Sequence, residues 1–345
     1  MLPLDDAARG LAPASPRRHN LDMRIRIVSP ATPGVTTGNR VTATRWSRHL
    51  RALGHEVRIT AAYARGPCEL LIALHAGKSA ASVARFATNH PDRPIVVALT
   101  GTDVYGDVHH DPTAIATLRR ASRIVALQPL ATVELPPELR DRVHVIYQSV
   151  RGPRMSPASR ADAFEACVVG HLREVKDPFL AARAMRVVPS DSRVCVIHVG
   201  APLDKQLEAA ARRETHENPR YEWIGPLSRS RTLQAIARAR VLVLTSRMEG
   251  GANVVSEAAV CGTPVLSTHI AGSIGLLGED YPGYFPVGNA KALAHLLSRA
   301  ESDPAYLDEL TSRCRAVAPS FDPSRERAAW KSLLASLPAF GPRST

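Results

Sequence analysis

The sequence is poor in aromatic residues and lacks long apolar runs. Phenylalanine, tryptophan and tyrosine make up 5% of the 345 residues, while the formal net charge is +12. Nucleic-acid-binding surfaces usually interleave basic runs with aromatic side chains, so we expect no nucleic acid partner. No apolar segment reaches the roughly 18 residues of a membrane-spanning helix, so we expect no membrane insertion. The positive charge fits either a solvated surface or the attraction of anionic small molecules.

Paired cysteines and closely spaced aspartates are missing as well. The five cysteines are scattered without a CxxC pair, and no signal peptide is apparent, which favours reduced thiols and a cytoplasmic location. No two aspartates are separated by a single residue, so a DxD metal motif is absent. The cluster at 109–111, His-His-Asp, lacks partners at ligand spacing. We therefore expect neither a metal nor a cofactor.

Alternation of strand and helix patterns organises the rest of the chain. Residues 1–22 have no periodicity and are interpreted as a disordered leader. A strand–helix rhythm runs over 23–150, a Pro- and Ser-containing linker follows at 151–162, and the rhythm restarts over 163–320. A final helix, within 321–338, closes the chain. Two doubly wound α/β domains facing a central cleft are predicted, the first on the acceptor side and the second holding the main ligand.

The individual elements follow from apolar periodicity. Predicted strands lie at 24–28, 56–60, 69–74, 94–99, 123–127, 143–147, 166–170, 193–199, 221–225, 241–246 and 264–268. Predicted helices end near Leu53 or lie at 78–90, 112–121, 178–187, 203–214, 230–239, 252–261, 289–301 and 324–337. Strands that alternate with helices in this way favour parallel sheets covered on both faces.

The segment RMEGGANVVSEAAVCGTPVLST, residues 247–268, carries the clearest chemical signal. Glu249 and Glu257 stand eight residues apart and flank a Gly-Gly loop that enters a helix. The amides of residues 250–253 would form a helix start able to hold a diphosphate or sugar hydroxyls. One carboxylate on the loop and another in the helix could reach two parts of one ligand, although the same pattern also fits a plain strand–turn–helix.

This segment resembles the nucleotide-sugar site of GT-B glycosyltransferases of the family 4 type. VVGHLREVKDPF, residues 168–179, is similar to the strand–glycine–lysine segment of that family, with Lys176 in the position of a diphosphate-binding lysine. The resemblance implies a GT-B fold whose final helix, within 321–338, crosses back onto the first domain. It also implies Lys176, Arg173 and Glu249 as the catalytic residues. His171 stands where the family usually has arginine. The nucleotide-sugar-binding residues implied are Gly170, His171, Gly225, Pro226, Leu227, Gly250, Gly251, Ala252, Asn253, Val254 and Glu257.

The first domain resembles a narrower branch, the selenosugar synthases of selenoneine biosynthesis. The similarity is carried by VSPATPGVTTGNRVTATRWSRHLRALGHEV, LLIALHAGKSAASV and VVALTGTDVYGD. It implies that a UDP-sugar, either UDP-N-acetylglucosamine or UDP-glucose, reacts with selenophosphate. The glycine-rich loop at 34–40 would then form an amide nest for a phosphate group, with Arg45 nearby. The acceptor- and phosphate-binding residues predicted on this side are Gly34, Thr37, Gly38, Asn39, Arg40, His75, Lys78 and Asp103.

The implied reaction joins selenium to the anomeric carbon as UDP departs, after which phosphate is lost to water. Selenophosphate is ionised at neutral pH, so this reaction does not require a strong general base. Three alternatives stay open at this stage. The chain could be a retaining transferase with a glycan or glycolipid acceptor, a sugar-nucleotide 2-epimerase on the same fold, or a non-catalytic sugar-nucleotide sensor.

Overall fold

The computed structural model describes residues 23–30, 38–101, 103–153 and 158–338. The predicted leader at 1–22 and most of the glycine-rich loop, including Gly34 and Thr37, lie outside this part of the chain. No helix among the described residues is long and apolar enough to cross a membrane.

Strands and helices alternate through both halves of the described chain. The strands are β1 (Arg24–Val28), β2 (Glu56–Thr60), β3 (Leu70–Leu74), β4 (Ile95–Ala98), β5 (Arg123–Ala126), β6 (Val143–Val145), β7 (Phe164–Val169), β8 (Val194–Val199), β9 (Tyr221–Gly225), β10 (Val241–Leu244), β11 (Val265–Thr268) and β12 (Tyr284–Phe285). The predicted strands agree with these to within two residues at each end, because their apolar runs are strong local signals.

The helices fill the connections between strands. They are α1 (Gly38–Ala52), α2 (Ala80–Asn89), α3 (Val108–His110), α4 (Pro112–Arg119), α5 (Pro137–Arg140), α6 (Leu180–Met185), α7 (Lys205–Glu217), α8 (Arg229–Arg238), α9 (Asn253–Cys261), α10 (Ala271–Leu277), α11 (Ala290–Ser302), α12 (Pro304–Val317) and α13 (Pro323–Ala335). The sequence analysis predicted neither the short elements α3, α5 and β12 nor the longer helices α10 and α12. Two glycines weaken the helical pattern of α10, and Asp303 and Pro304 start α12 directly after α11.

The strands form two parallel six-stranded sheets within the described residues. The first has the order β2-β1-β3-β4-β5-β6 and the second β12-β11-β10-β7-β8-β9. Each order reverses once, between β1 and β3 in the first sheet and between β7 and β10 in the second. The connections that leave these two neighbouring strands go to opposite sides, which opens a crevice at their carboxyl ends. Each sheet therefore provides one natural position for a ligand.

The last helix, α13, packs on the first sheet rather than on the second. Trp330 lies 4.9 Å from Trp46 of α1 in an edge-to-face arrangement, and both side chains are fully buried. They share one apolar cluster with Ile25 and Ile27 of β1. The chain therefore passes between the two sheets twice, near Val150 and near Phe321, where the Val150 N–H donates to the Phe321 carbonyl at 3.0 Å.

Candidate active site

The crevice of the second sheet brings together Lys176 and Glu249, two of the three residues predicted to be catalytic, beside Gly170. Gly170 and Lys176 follow β7, and Glu249 follows β10, so all three lie at the carboxyl ends of the two strands where the order reverses. Lys176 Nζ contacts Glu249 Oε1, and the Ser246 hydroxyl donates to the same oxygen at 2.7 Å. The stem of Lys176 runs beside Gly170, where an added β-carbon would lie 3.9 Å from Lys176 Cδ. A small pocket lined by Gly170, Lys176 and Ser246 opens there.

The turn that carries Lys176 is fixed by contacts that the sequence analysis did not anticipate. Asp177 has a left-handed backbone with φ of 41°, and its carboxylate accepts bonds from Arg183 at 2.8 Å and Arg247 at 3.2 Å. The Thr245 hydroxyl donates to the Lys176 carbonyl at 2.7 Å. A non-glycine residue at positive φ is unusual, and the bonds from the two arginines to the Asp177 carboxylate stabilise this backbone conformation. Lys176 is thereby presented on a rigid support.

A buried histidine supports the neighbouring turn at Gly170. His198 lies 3.1 Å from the Gly170 carbonyl through Nε2 and 2.8 Å from the Tyr221 hydroxyl through Nδ1. Burial lowers the pKa of His198 to about 4, so the ring is neutral at physiological pH. A neutral ring that donates from Nε2 to the carbonyl must accept the tyrosine proton at Nδ1. The Ala201 N–H donates to His171 Nδ1 at 3.1 Å, which orients that side chain as well.

Glu257, the second carboxylate of the motif, lies buried within α9. Arg229, the first residue of α8, donates to Glu257 Oε1 at 2.8 Å. Burial raises the pKa of Glu257, and the charges of Arg229 and Arg45 oppose that rise. The sequence analysis assigned Gly225, Pro226 and Leu227 to nucleotide-sugar binding and missed Arg229, which follows them two residues later. The sequence signal that could have identified Arg229 is its position as an arginine at the start of a helix that follows a strand.

The crevice of the first sheet holds the predicted acceptor residues that the structure describes. His75 follows β3 with φ of 72°, and its Nδ1 accepts the Lys78 N–H at 3.3 Å. The Asp107 carboxylate lies 3.7 Å from the same nitrogen. The His75 Nε2 is buried and has no hydrogen-bond partner among the described residues. Buried polar atoms are rarely left unpaired, so His75 Nε2 is a candidate contact for a ligand.

Two residues assigned to the acceptor side have other partners. Asp103 is fully buried, and its carboxylate accepts the N–H groups of Thr100 and Gly101 (3.1 and 2.8 Å) and of Ala76 (3.1 Å). It therefore joins the turns after β3 and β4, and direct ligand contact would have to compete with three backbone amides. Arg45, expected beside the acceptor, is engaged instead by Glu326, Gln148 and Asn253. Sequence position alone could not reveal these long-range partners.

The starts of two helices from different domains face each other. Gly38 begins α1 and Asn253 begins α9, and a β-carbon on Gly38 would lie 4.0 Å from Asn253 Nδ2. Helix starts present unpaired N–H groups and a partial positive charge. Two of them in close proximity favour an anion between the domains. Asn39 and Arg40 belong to the same first turn of α1.

The Gly250-Gly251 pair packs directly against the first domain. A β-carbon on Gly250 would lie 2.8 Å from the Gly101 nitrogen, and one on Gly251 would lie 2.6 Å from Leu127 Cβ. No side chain fits at these separations, so glycine is required where the loop meets the ends of β4 and β5. The sequence analysis assigned both glycines to ligand binding through their amides. The structure adds a steric role, because both glycines lie where the two domains are in contact and no side chain would fit.

We expect Gly251→Ala to slow catalysis by at least tenfold while changing the affinity for UDP less than threefold. The added methyl group would overlap Leu127 and disfavour the contact between the two domains. Its three nearest neighbours all belong to Leu127 of the first domain, so the second domain itself need not be disturbed. Steady-state kinetics and calorimetry would measure the two effects. Gly106→Ala is the matched control, because a β-carbon there meets nothing within 4 Å. An equal loss of kcat in both variants would contradict the steric explanation.

The remaining predicted residues lie around the second crevice. Arg173 is exposed and precedes the turn of Lys176, and its carbonyl accepts the Lys176 N–H at 2.9 Å. Gly225 ends β9 with φ of 73° and leads into Pro226 and Leu227. Ala252 and Val254 flank Asn253 at the start of α9. In the first domain, His109 pairs with Glu134 at 2.9 Å, and no cluster suited to a metal ion occurs in the described residues.

Comparison with known proteins places this architecture in context. Residues 154–319 match the family model "Glycosyl transferases group 1". HepE of Anabaena, solved in complex with UDP and glucose, shares 18% identity over 91% of this chain and 100% of its own, with a TM-score of 0.71. Sucrose-phosphate synthase of Thermosynechococcus elongatus shares 16% identity over 91% and 98%, with a TM-score of 0.74. The two sheets thus adopt the GT-B fold, as predicted.

The pneumococcal O-GlcNAc transferase GtfA, solved with UDP and GlcNAc, extends the comparison to a larger protein. It shares 13% identity over 77% of this chain and 56% of its own, with a TM-score of 0.60. At such identities the likeness concerns the fold.

Proposed function

We propose that this chain, whose residues 154–319 match the glycosyl transferases group 1 family, uses a UDP-sugar to glycosylate selenophosphate. The product would be a 1-selenosugar, formed from UDP-N-acetylglucosamine or UDP-glucose with release of UDP and phosphate. The proposal includes no metal or cofactor. HepE and GtfA were solved with UDP, which supports a uridine nucleotide as the donor's leaving group.

The observation that carries the donor half is the meeting of Lys176 and Glu249 at the crevice of the second sheet. The ammonium group of Lys176 would stabilise the charge that develops on the departing UDP, with Arg173 as a second cation. Glu249 would accept bonds from sugar hydroxyls once Lys176 turns to the diphosphate. Glu257, held by Arg229, would accept the ribose hydroxyls.

The acceptor half is supported by the polar groups after β3 and by the resemblance of the first domain to selenosugar synthases. The buried Nε2 of His75 and the exposed side chain of Lys78 together suit a small oxyanion. The charge of selenophosphate would be held by these groups and by the helix starts of α1 and α9. Such a small anion fits between domains that are already in contact at Gly250 and Gly251.

The reaction proceeds in two balanced steps. Selenium attacks the anomeric carbon, so a carbon–selenium bond forms as the bond from that carbon to the diphosphate oxygen breaks, and UDP leaves with the electron pair. Water then attacks phosphorus, the selenium–phosphorus bond breaks, and phosphate and a selenolate result. The first step needs no proton transfer. The residues of the chain therefore act by orientation and by electrostatic stabilisation.

The test is incubation of the purified full chain with selenophosphate and either UDP-sugar. We expect UDP release that depends on selenophosphate, together with a selenium-containing sugar detected by mass spectrometry. Inorganic phosphate and thiophosphate serve as comparison acceptors. UDP release that requires a glycan or lipid acceptor would contradict the selenium chemistry and favour an ordinary transferase. Binding of UDP without any turnover would favour the sensor.

A further inference from the structure

An arginine of the first domain makes contact with the donor residues of the second. Arg45 of α1 is largely buried, and each nitrogen of its guanidinium group has a different partner. Nε donates to Glu326 Oε1 at 3.1 Å, Nη2 donates to Gln148 Oε1 at 2.7 Å, and Nη1 donates to Asn253 Oδ1 at 3.3 Å. One side chain thus connects α1, the segment before the linker, α13 and the start of α9.

The contact with Asn253 fixes the orientation of an amide at the predicted donor site. Asn253 is the first residue of α9, and the preceding Ala252 provides no side-chain cap. Because Oδ1 faces Arg45, the Nδ2 group is directed toward Gly38, the first residue of α1. Burial raises the pKa of the Glu257 carboxyl, and the guanidinium group of Arg45 is close enough to oppose that rise. Arg45 therefore acts on two residues assigned to nucleotide-sugar binding.

We propose that Arg45 is a positioning residue that couples the nucleotide site of the second domain to the first domain. This inference rests on the proposed function, because it assigns Asn253 and Glu257 to the donor. With Arg45 in place, Asn253 presents its amide N–H groups to the space between the two helix starts. The planar arginine fork suits three simultaneous acceptors, which a lysine ammonium cannot satisfy in the same geometry.

The experiment compares UDP affinity in the full chain by calorimetry. We expect Arg45→Ala to weaken UDP binding by about tenfold and Asn253→Ala to weaken it comparably. Because both variants remove the same interaction, the double variant should bind UDP no more weakly than the weaker single variant. Arg45→Lys should show an intermediate loss. The KM for the UDP-sugar should rise in each variant by a larger factor than kcat falls.

His49→Gln is the matched control. His49 lies on the same helix and contacts the same carboxylate, Glu326, at 3.1 Å, while its other contact is Ser149 rather than Asn253. We expect this variant to lower the melting temperature without changing the UDP affinity. Asn253→Ala leaves the contacts of Glu326 intact, and its combination with Arg45→Lys keeps the double-variant comparison available if Arg45→Ala folds poorly.

The results of these binding measurements distinguish a failure of this inference from a failure of the proposed function on which it rests. Additive losses in the double variant, or an Arg45→Ala protein that binds UDP as the parent does, would overturn the role of Arg45 alone. A parent protein that does not bind UDP would overturn the proposed function together with this role. Non-additive losses with an unaffected His49→Gln variant would support the coupling.

Discussion

Replacing Lys176 by alanine is expected to lower kcat for sugar transfer by about a thousandfold. The substitution removes the cation next to which the diphosphate would leave, and loss of one preorganised group that stabilises developing charge typically costs 10²–10³ in rate. It also removes the counter-charge of Glu249, which keeps only the Ser246 hydroxyl from this cluster. UDP release under saturating substrates measures the effect.

Two companion variants make this result specific. Lys176→Arg keeps the positive charge on a longer, planar group and should retain part of the activity. Lys291→Ala removes the same charge from an exposed position at the start of α11 and should leave kcat unchanged. If Lys176→Ala retained more than a tenth of the parent kcat, the lysine would not be the principal cation at the leaving group.

The second large expected effect is a loss of stability when Glu326 of α13 is replaced. This buried carboxylate accepts bonds from the Trp46 indole at 2.8 Å, from Arg45 and His49 at 3.1 Å, and from the Ser149 N–H at 2.8 Å. Glu326→Ala would leave the Arg45 charge buried without its counterion. Breaking a buried pair from one side typically costs about 3–5 kcal/mol, so we expect a fall of this size in the free energy of unfolding.

Denaturant titration followed by tryptophan fluorescence would measure this fall. Trp46 and Trp330 lie in the same cluster and report on its integrity. Glu309→Ala is the control, because Glu309 is an exposed glutamate on α12 and its removal should change the free energy of unfolding by less than about 0.5 kcal/mol. Equal effects of the two substitutions would refute the assignment of Glu326 as a structural centre.

The same carboxylate predicts how stability depends on pH. Burial opposes its ionisation, but the Arg45 charge and the His49 and Ser149 donors outweigh burial and bring the pKa of Glu326 to about 2. Because this folded-state pKa lies below the ordinary value of about 4.5, the stabilisation is complete above pH 4.5. It is lost as the pH falls toward 2.

Glu326→Gln isolates this contribution. The difference in the free energy of unfolding between the parent and this variant should shrink by roughly 3 kcal/mol between pH 4.5 and 2, at 1.36 kcal/mol per pKa unit. A difference that stays constant over this range would mean that Glu326 is not the titrating group.

The sequence by itself determined the class of fold and which residues meet at the carboxyl edge of the second sheet. The apolar periodicity of strands and helices indicates which residues are buried, and it can be recognised in the sequence without knowledge of any tertiary contact. Once the strands are parallel, residues that directly follow them must meet at one edge of the sheet. Lys176 and Glu249 were brought to the same position in the structure for this reason, although they are 73 residues apart.

Only the tertiary structure decided which side chains form ion pairs and hydrogen bonds with each other. Arg45 and Glu326 are 281 residues apart, and Arg229 and Glu257 lie on different helices whose relative rotation no local pattern encodes. The hydrogen bonds by which Asp103 joins two turns depend on backbone separations of a few ångströms. The same is true of the steric need for glycine at position 251, beside Leu127. Periodicity in a sequence specifies which face of an element is buried, whereas a pairing between elements depends on packing distances and angles that emerge only when the domains are assembled.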